Sequence, residues 1–197
     1  MIILPPNTPR SKSAIGQKVG KTILKLMGWK IEGNFPNADK FIAAVAPHTS
    51  NWDFIIGIAV KLALDVEIRF LGKHTIFIPP FSWLLKKWGG IPVRRDTPHG
   101  MVAQVRDIFA NSDKLILGLA PEGTRKYTPE WKKGFVYIAQ SAQVPIVPMA
   151  IDYRTKTFVV MPAIEKTTKT DPEKLLNQVK LHFVKQMAKY PDQASGL

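Results

Sequence analysis

The sequence predicts one α/β domain, a mixed and largely parallel sheet flanked by helices, preceded by an amphipathic helix. Three observations point there. Short apolar runs alternate with segments of helical periodicity along nearly the whole chain. The length, 197 residues, suits one domain that buries roughly 70% of its unfolded surface without staples. Apolar residues are 45% and charged residues 22%, a globular balance that excludes intrinsic disorder. The organisation is an N-terminal segment over 1–35, extended and then helical, followed by the main domain over 36–197.

The elements follow in order. Residues 1–10 are proline-rich and read as extended. Residues 13–29 read as an amphipathic helix. At ~100° per residue, Ile15, Val19, Ile23, Leu26 and Met27 share one face, with Lys18, Lys21 and Lys25 on another. Gly16 and Gly20 weaken this helix in isolation. Phe41–Ala46 (FIAAVA) reads as a buried strand, Asn51–Leu64 as a helix and Val66–Leu71 as a strand. Ile76–Trp88 is helical with a break at Pro79–Pro80. Ile91–Arg95 is a short strand, and Pro98 opens a helix to Ala110. Lys114–Leu119 is a strand and Lys132–Ala142 a helix. Pro145–Tyr153 and Thr157–Met161 are strands, the second suited to antiparallel pairing. Asp171 and Pro172 supply an N-cap and an N1 proline for a last helix reaching about Lys189.

Charge is the compositional anomaly. Lys and Arg number 28 against 15 Asp and Glu, a net +13, with pI near 10.0. Such a surface attracts nucleic acid, anionic lipid or phosphorylated small molecules. The basic residues are dispersed and no aromatic-basic motif accompanies them, so nucleic acid is not the expected partner. Zero cysteines exclude disulfides, thiolate metal sites and a cysteine nucleophile. No run approaches the ~18 apolar residues of a bilayer span, and the start is not a secretory signal. The expected location is the cytoplasmic side, peripheral to the membrane. There the N-terminal helix has two readings: a surface helix packed on the core, or an interfacial helix with its aliphatic face in anionic lipid.

Two clusters stand just past strand ends, where α/β sheets place chemistry. The first is Pro47-His48-Thr49-Ser50-Asn51-Trp52-Asp53. A base poised near neutral pH needs a partner that orients its ring. On one straight helix a spacing of five sets His48 and Asp53 ~140° apart. They meet only if His48 lies in the loop, Ser50 or Asn51 caps the helix and Asp53 sits in its first turn. The bland reading is a loop histidine beside an aspartate that merely complements the helix dipole. The second cluster is Ala120-Pro121-Glu122-Gly123-Thr124-Arg125. Its glycine permits a tight loop and its arginine can grip phosphate; the bland reading is a turn with a solvated charge pair. Arg95, ending the run Gly89–Arg95, is a second candidate phosphate ligand. No His/Glu/Asp set has metal-ligand spacing. His74, His99 and His182 have no acid in a matching frame. Trp52, Trp83 and Trp88 read first as core, and Lys73, Lys132 and Lys133 as solvated surface.

Taken together, His-x4-Asp, the Gly-x-Ile-x-Val-x-Arg-like run, Pro-Glu-Gly-Thr-Arg and Val144-Pro145-Ile146-Val147-Pro148 form an ordered set over about 40–150. This set resembles the lysophospholipid acyltransferase family. The resemblance implies an acyltransferase domain over 36–197 and an O-acyltransferase that uses acyl-CoA or acyl carrier protein thioesters, with no cofactor. His48 would be the general base on the acceptor hydroxyl, and Asp53 would orient it. Arg95 and Arg125 would bind the acceptor phosphate. Glu122 would position Arg125 or the acceptor, while Gly123 and Thr124 would shape the loop. Ser50 reads better as a cap than a nucleophile, and no metal is implied. The acceptor would be a lysophospholipid, first 1-acyl-sn-glycerol-3-phosphate. The alternatives are another lyso-lipid such as a lyso-aminolipid, a related hydrolase, or an inactive membrane-binding scaffold. An anionic membrane surface is the implied partner.

Overall fold

The strand FIAAVA is apolar on both of its faces, and it becomes the middle of the sheet. In the computed structural model, which describes residues 2, 4–94 and 98–197, the elements run in chain order. They are α1 (Ala14–Met27), β1 (Lys30–Gly33), β2 (Lys40–Ala46), α2 (Asn51–Leu64), β3 (Ile68–Lys73), α3 (Phe81–Lys87), β4 (Gly90–Val93), α4 (Pro98–Ala110), β5 (Leu115–Leu119), α5 (Gly134–Ala142), β6 (Ile146–Asp152), β7 (Thr157–Val160) and α6 (Pro172–Lys180). Among the described residues seven strands form one sheet in the order β1-β7-β6-β2-β5-β3-β4. Only β6 and β7 pair antiparallel. The sheet is mixed and mostly parallel, as the sequence predicts.

Alternation along β2 divides the core. Phe41 and Ala43 face the α1 and α2 side with Ile56, Ala59, Val60 and Ile116. Ile42, Ala44 and Ala46 face the α4, α5 and α6 side with Val105, Leu117, Phe135 and Leu175. A parallel sheet covered on both faces requires such near-continuous apolar strands. Right-handed crossovers fix which helix lies on which face. The chain leaves β2 toward β3 through α2 on one face, and leaves β5 toward β6 through α5 on the other. Adjacent strands β2 and β5 therefore send their exits in opposite directions, and a crevice opens between them.

Three differences from the sequence reading have physical causes. The strand β1 has no counterpart in the sequence pattern; it is four residues long, mostly exposed, and exists through edge pairing to β7. The last helix stops at Lys180 rather than near Lys189. Beyond it Phe183 turns inward to stack on Trp131 at 5.5 Å. The helix α1 does not bury the whole aliphatic face that its periodicity suggests. Its contact with α2 runs through Gly20, where an added Cβ would stand 2.3 Å from the Ala63 nitrogen. The glycine that weakens the isolated helix is what permits this approach. Leu24 is buried and Ile23 and Met27 pack beside it. Ile15 and Leu26 are left 81% and 82% exposed.

Candidate active site

Parallel neighbours bring distant residues to one edge. Ala44 is in register with Leu119 and Ala46 with Ala150. The loops after β2, β5 and β6 consequently leave side by side, carrying His48, Glu122 and Tyr153.

The loop after β2 ends in a capping box. Ser50 is the N-cap of α2, its side chain accepts from the Trp52 N–H, and the Asp53 side chain reaches back to the Ser50 N–H. This places Asp53 in the first turn and folds His48 over it. His48 Nδ1 lies 3.1 Å from Asp53 Oδ2. The same oxygen accepts from the Thr49 and Ser50 N–H groups at 2.8 and 2.7 Å. The Asp53 side chain is 1% exposed and that of His48 26%. With Nδ1 turned to the carboxylate, Nε2 has no hydrogen-bond partner among the described residues. It is the ring nitrogen available to the cavity that His48 lines.

Glu122 departs from its expected part. The resemblance has it positioning Arg125 or the acceptor. Instead its two oxygens accept the His48 N–H at 2.8 and 3.1 Å, and it is 1% exposed. Burial, with Asp53 adding to it, pushes its carboxyl up to about 7, against the lowering pull of the His48 N–H. Glu122 thereby clamps the loop that carries the imidazole. Gly123 adopts φ +70°, a left-handed conformation that side chains rarely tolerate. Gly123, Thr124 and Arg125 line the same cavity as His48. Arg125 is exposed and forms no ion pair among the described residues.

Arg95 lies outside the described residues. The strand that precedes it in the chain, β4, is not a neighbour of β5, because β3 pairs with both. The ends of β4 and β5 are therefore separated by two strand spacings, ~10 Å. Lys132 and Lys133 also line the cavity, and Lys133 is ion-paired with Glu173.

The cavity measures about 1700 Å³, beyond the ~300–1000 Å³ of a small-molecule pocket. Its lining includes the polar His48 and Arg125 together with Phe54, Gly57 and Ile58 of α2 and Ile68 and Phe70 of β3. At Gly57 an added Cβ would meet no heavy atom within 4 Å. Lys61, its pKa lowered chiefly by burial, donates to the Trp88 carbonyl at 2.7 Å.

Sequence reasoning missed three contacts. The Tyr153 hydroxyl donates to Asp53 Oδ1 at 2.6 Å. The Tyr190 N–H donates to Thr49 Oγ1 at 3.2 Å. The Lys189 ammonium sits 5.1 Å from the Trp52 ring centroid. A signal existed for the first, since side chains at the carboxyl end of a central parallel strand border the crevice. None existed for the C-terminal segment.

A family model described as Acyltransferase matches residues 29–152. The 1-acyl-sn-glycerol-3-phosphate acyltransferase of Streptococcus pneumoniae (strain ATCC BAA-255 / R6) is 28% identical over 153 residues, 70% of this chain and 56% of that protein. The Saccharomyces cerevisiae protein of the same name is 28% identical over 148 residues, 70% of this chain and 48% of that one. The chain thus spans about half the length of these curated relatives. The crystal structure of the 1-acyl-sn-glycerophosphate (LPA) acyltransferase, PlsC, from Thermotoga maritima superposes with TM-score 0.60 at 21% identity, over 85% of this chain and 74% of that one. At that identity the likeness is one of fold.

Proposed function

The chain belongs to the acyltransferase family, and from that premise we propose that it moves a fatty acyl group from a thioester to the hydroxyl of a lysophospholipid, 1-acyl-sn-glycerol-3-phosphate first. The observation that carries the reading is the His48–Asp53 contact at 3.1 Å, made in the wall of a large, mostly apolar cavity. Asp53 accepts a hydrogen bond from the Nδ1–H, which leaves the Nε2 lone pair to accept the acceptor's hydroxyl proton. The oxygen then attacks the thioester carbonyl, the C–S bond breaks, and the thiolate leaves with the proton from His48. The Asp53 carboxylate stabilises the imidazolium between these steps, as in triads on other folds.

No acyl-enzyme is needed. Ser50 Oγ is occupied as a cap and the chain has no cysteine. Arg125, lining the same cavity and free of ion pairs among the described residues, is suited to a phosphomonoester, with Arg95 as its expected companion. The cavity's apolar walls fit the acyl chain. The thioester is carried by CoA or acyl carrier protein, both anionic and suited to a chain of net +13. An anionic membrane surface is the proposed partner, because the exposed Ile15, Val19 and Leu26 of α1 lie beside Lys18, Lys21 and Lys25. Among the described residues no helix is long and apolar enough to cross a membrane.

Thiol release is the test, from acyl-CoA and acyl carrier protein thioesters with a panel of lysophospholipid and lyso-aminolipid acceptors. Acceptor-dependent release should fall about 10²–10⁴-fold in His48→Ala, the usual weight of a general base. A variant that keeps most of its turnover would sink the assignment, and release without acceptor would make the protein a thioesterase.

A further inference from the structure

We propose that Tyr153 is a positioning residue for the His48–Asp53 pair, its hydroxyl fixing the carboxylate that in turn fixes the imidazole. This rests on the reading of His48 as the base. The two oxygens of Asp53 are used unequally. Oδ2 gathers the His48 ring and the Thr49 and Ser50 N–H groups. Oδ1 is held by Tyr153, at 2.6 Å. The terminal torsion of an aspartate is broad, so a carboxylate gripped at one oxygen can pivot about it. A donor on the second oxygen removes that freedom and sets the angle at which Oδ2 meets Nδ1.

Tyr153 is itself well placed to be rigid. Its ring meets Trp29 edge-on, with centroids 5.0 Å apart and planes at 87°. Its N–H donates to the Met187 carbonyl at 2.9 Å. Burial first, and then the bond to Asp53, raise its hydroxyl's pKa, so it stays a donor over the working pH range. The other titratable groups around the pair are Glu122, on the His48 N–H, and Tyr190 and Lys189 beside Thr49 and Trp52. None of them hydrogen-bonds Oδ1 among the described residues.

The bond also sets charge. A hydroxyl donor draws electron density toward Oδ1 and tempers the attraction that Oδ2 exerts on an imidazolium. Tyr153→Phe removes one oxygen and keeps the ring against Trp29. The chain has four histidines, so His48 can be followed by NMR in histidine-labelled protein, its resonance assigned by its absence in His48→Ala. The titration midpoint of His48 should rise by about half a pH unit in Tyr153→Phe, because the carboxylate keeps more charge for its ring. The kcat for acyl transfer should fall about tenfold, the order set by losing a hydrogen bond to a charged group, with KM for the acceptor unchanged.

Incorporating 3-fluorotyrosine at the four tyrosines gives a second measurement that deletes nothing. Its more acidic hydroxyl is a stronger donor, and the His48 midpoint should move down. An unmoved midpoint in both proteins overturns the proposal, even with reduced kcat, since that pattern belongs to packing alone. A moved midpoint with wild-type kcat overturns it too. A His48→Ala protein that still transfers acyl groups would instead defeat the base assignment beneath it.

Discussion

Replacing Glu122 by Gln tests whether a buried carboxylate clamps the catalytic loop at a cost in stability that depends on pH. The Glu122 carboxyl titrates at about 7 in the folded protein against an ordinary 4.5, chiefly through burial. A group with a raised folded pKa binds more protons folded than unfolded between those two values. Stability therefore falls as pH rises across that window. Below about 4.5 both states are protonated and nothing is lost. Above about 7 both are ionised and the whole difference has been lost. Two and a half units at about 1.36 kcal/mol each amount to roughly 3 kcal/mol. Gln keeps an acceptor for the His48 N–H and cannot ionise. The difference in unfolding free energy, Glu122→Gln minus wild type, should therefore rise by about 3 kcal/mol from pH 4 to pH 8. Urea denaturation followed by tryptophan fluorescence at half-unit pH steps measures it, and the subtraction removes every other titrating group. Parallel curves for the two proteins would show that Glu122 is solvated or already charge-paired, and that the clamp carries no desolvation cost.

Two further perturbations test the cavity and the surface. Gly57→Leu adds a side chain where nothing stands within 4 Å of a new Cβ. It should raise the melting temperature, since Gly costs a helix interior about 1 kcal/mol. It should also shift donor preference toward shorter chains. Each excluded methylene is worth about 0.8 kcal/mol, so two cost long donors roughly 15-fold in kcat/KM. An unchanged chain-length optimum would place the acyl group elsewhere. Ile15→Glu with Leu26→Glu changes two side chains exposed by four fifths, so the fold should hold within about 0.5 kcal/mol per site. Binding to vesicles containing anionic lipid should fall at least a hundredfold, two aliphatic side chains being worth about 3 kcal/mol or more. Undiminished sedimentation with vesicles would move the docking surface away from α1.

Much of this protein was legible one turn or one strand at a time. The helix over 51–64 came out at its observed bounds, and so did that over 98–110, because caps and apolar periodicity act within a few residues. Local logic left the meeting of His48 and Asp53 as one of two readings, and the structure decides for it: a capping box after a buried strand places the fourth residue of the box under the loop. The antiparallel turn of β7 was likewise readable, its strand following β6 after a short turn. The motif set carried the family, since its order along the chain survives without any knowledge of contacts.

What the sequence left open are pairings across long separations. Glu122 reaches His48 over 74 positions, and Tyr153 reaches Asp53 over 100. Neither has a local signal, because each depends on which strands become neighbours and in what register. The same holds for β3 standing between β4 and β5, which separates two strand ends that sequence order made adjacent. It holds also for α1, where packing chose the glycines as the contact and left Ile15 and Leu26 outside. Periodicity fixes which residues share a face of one element, and the neighbour that covers the face decides what the face does.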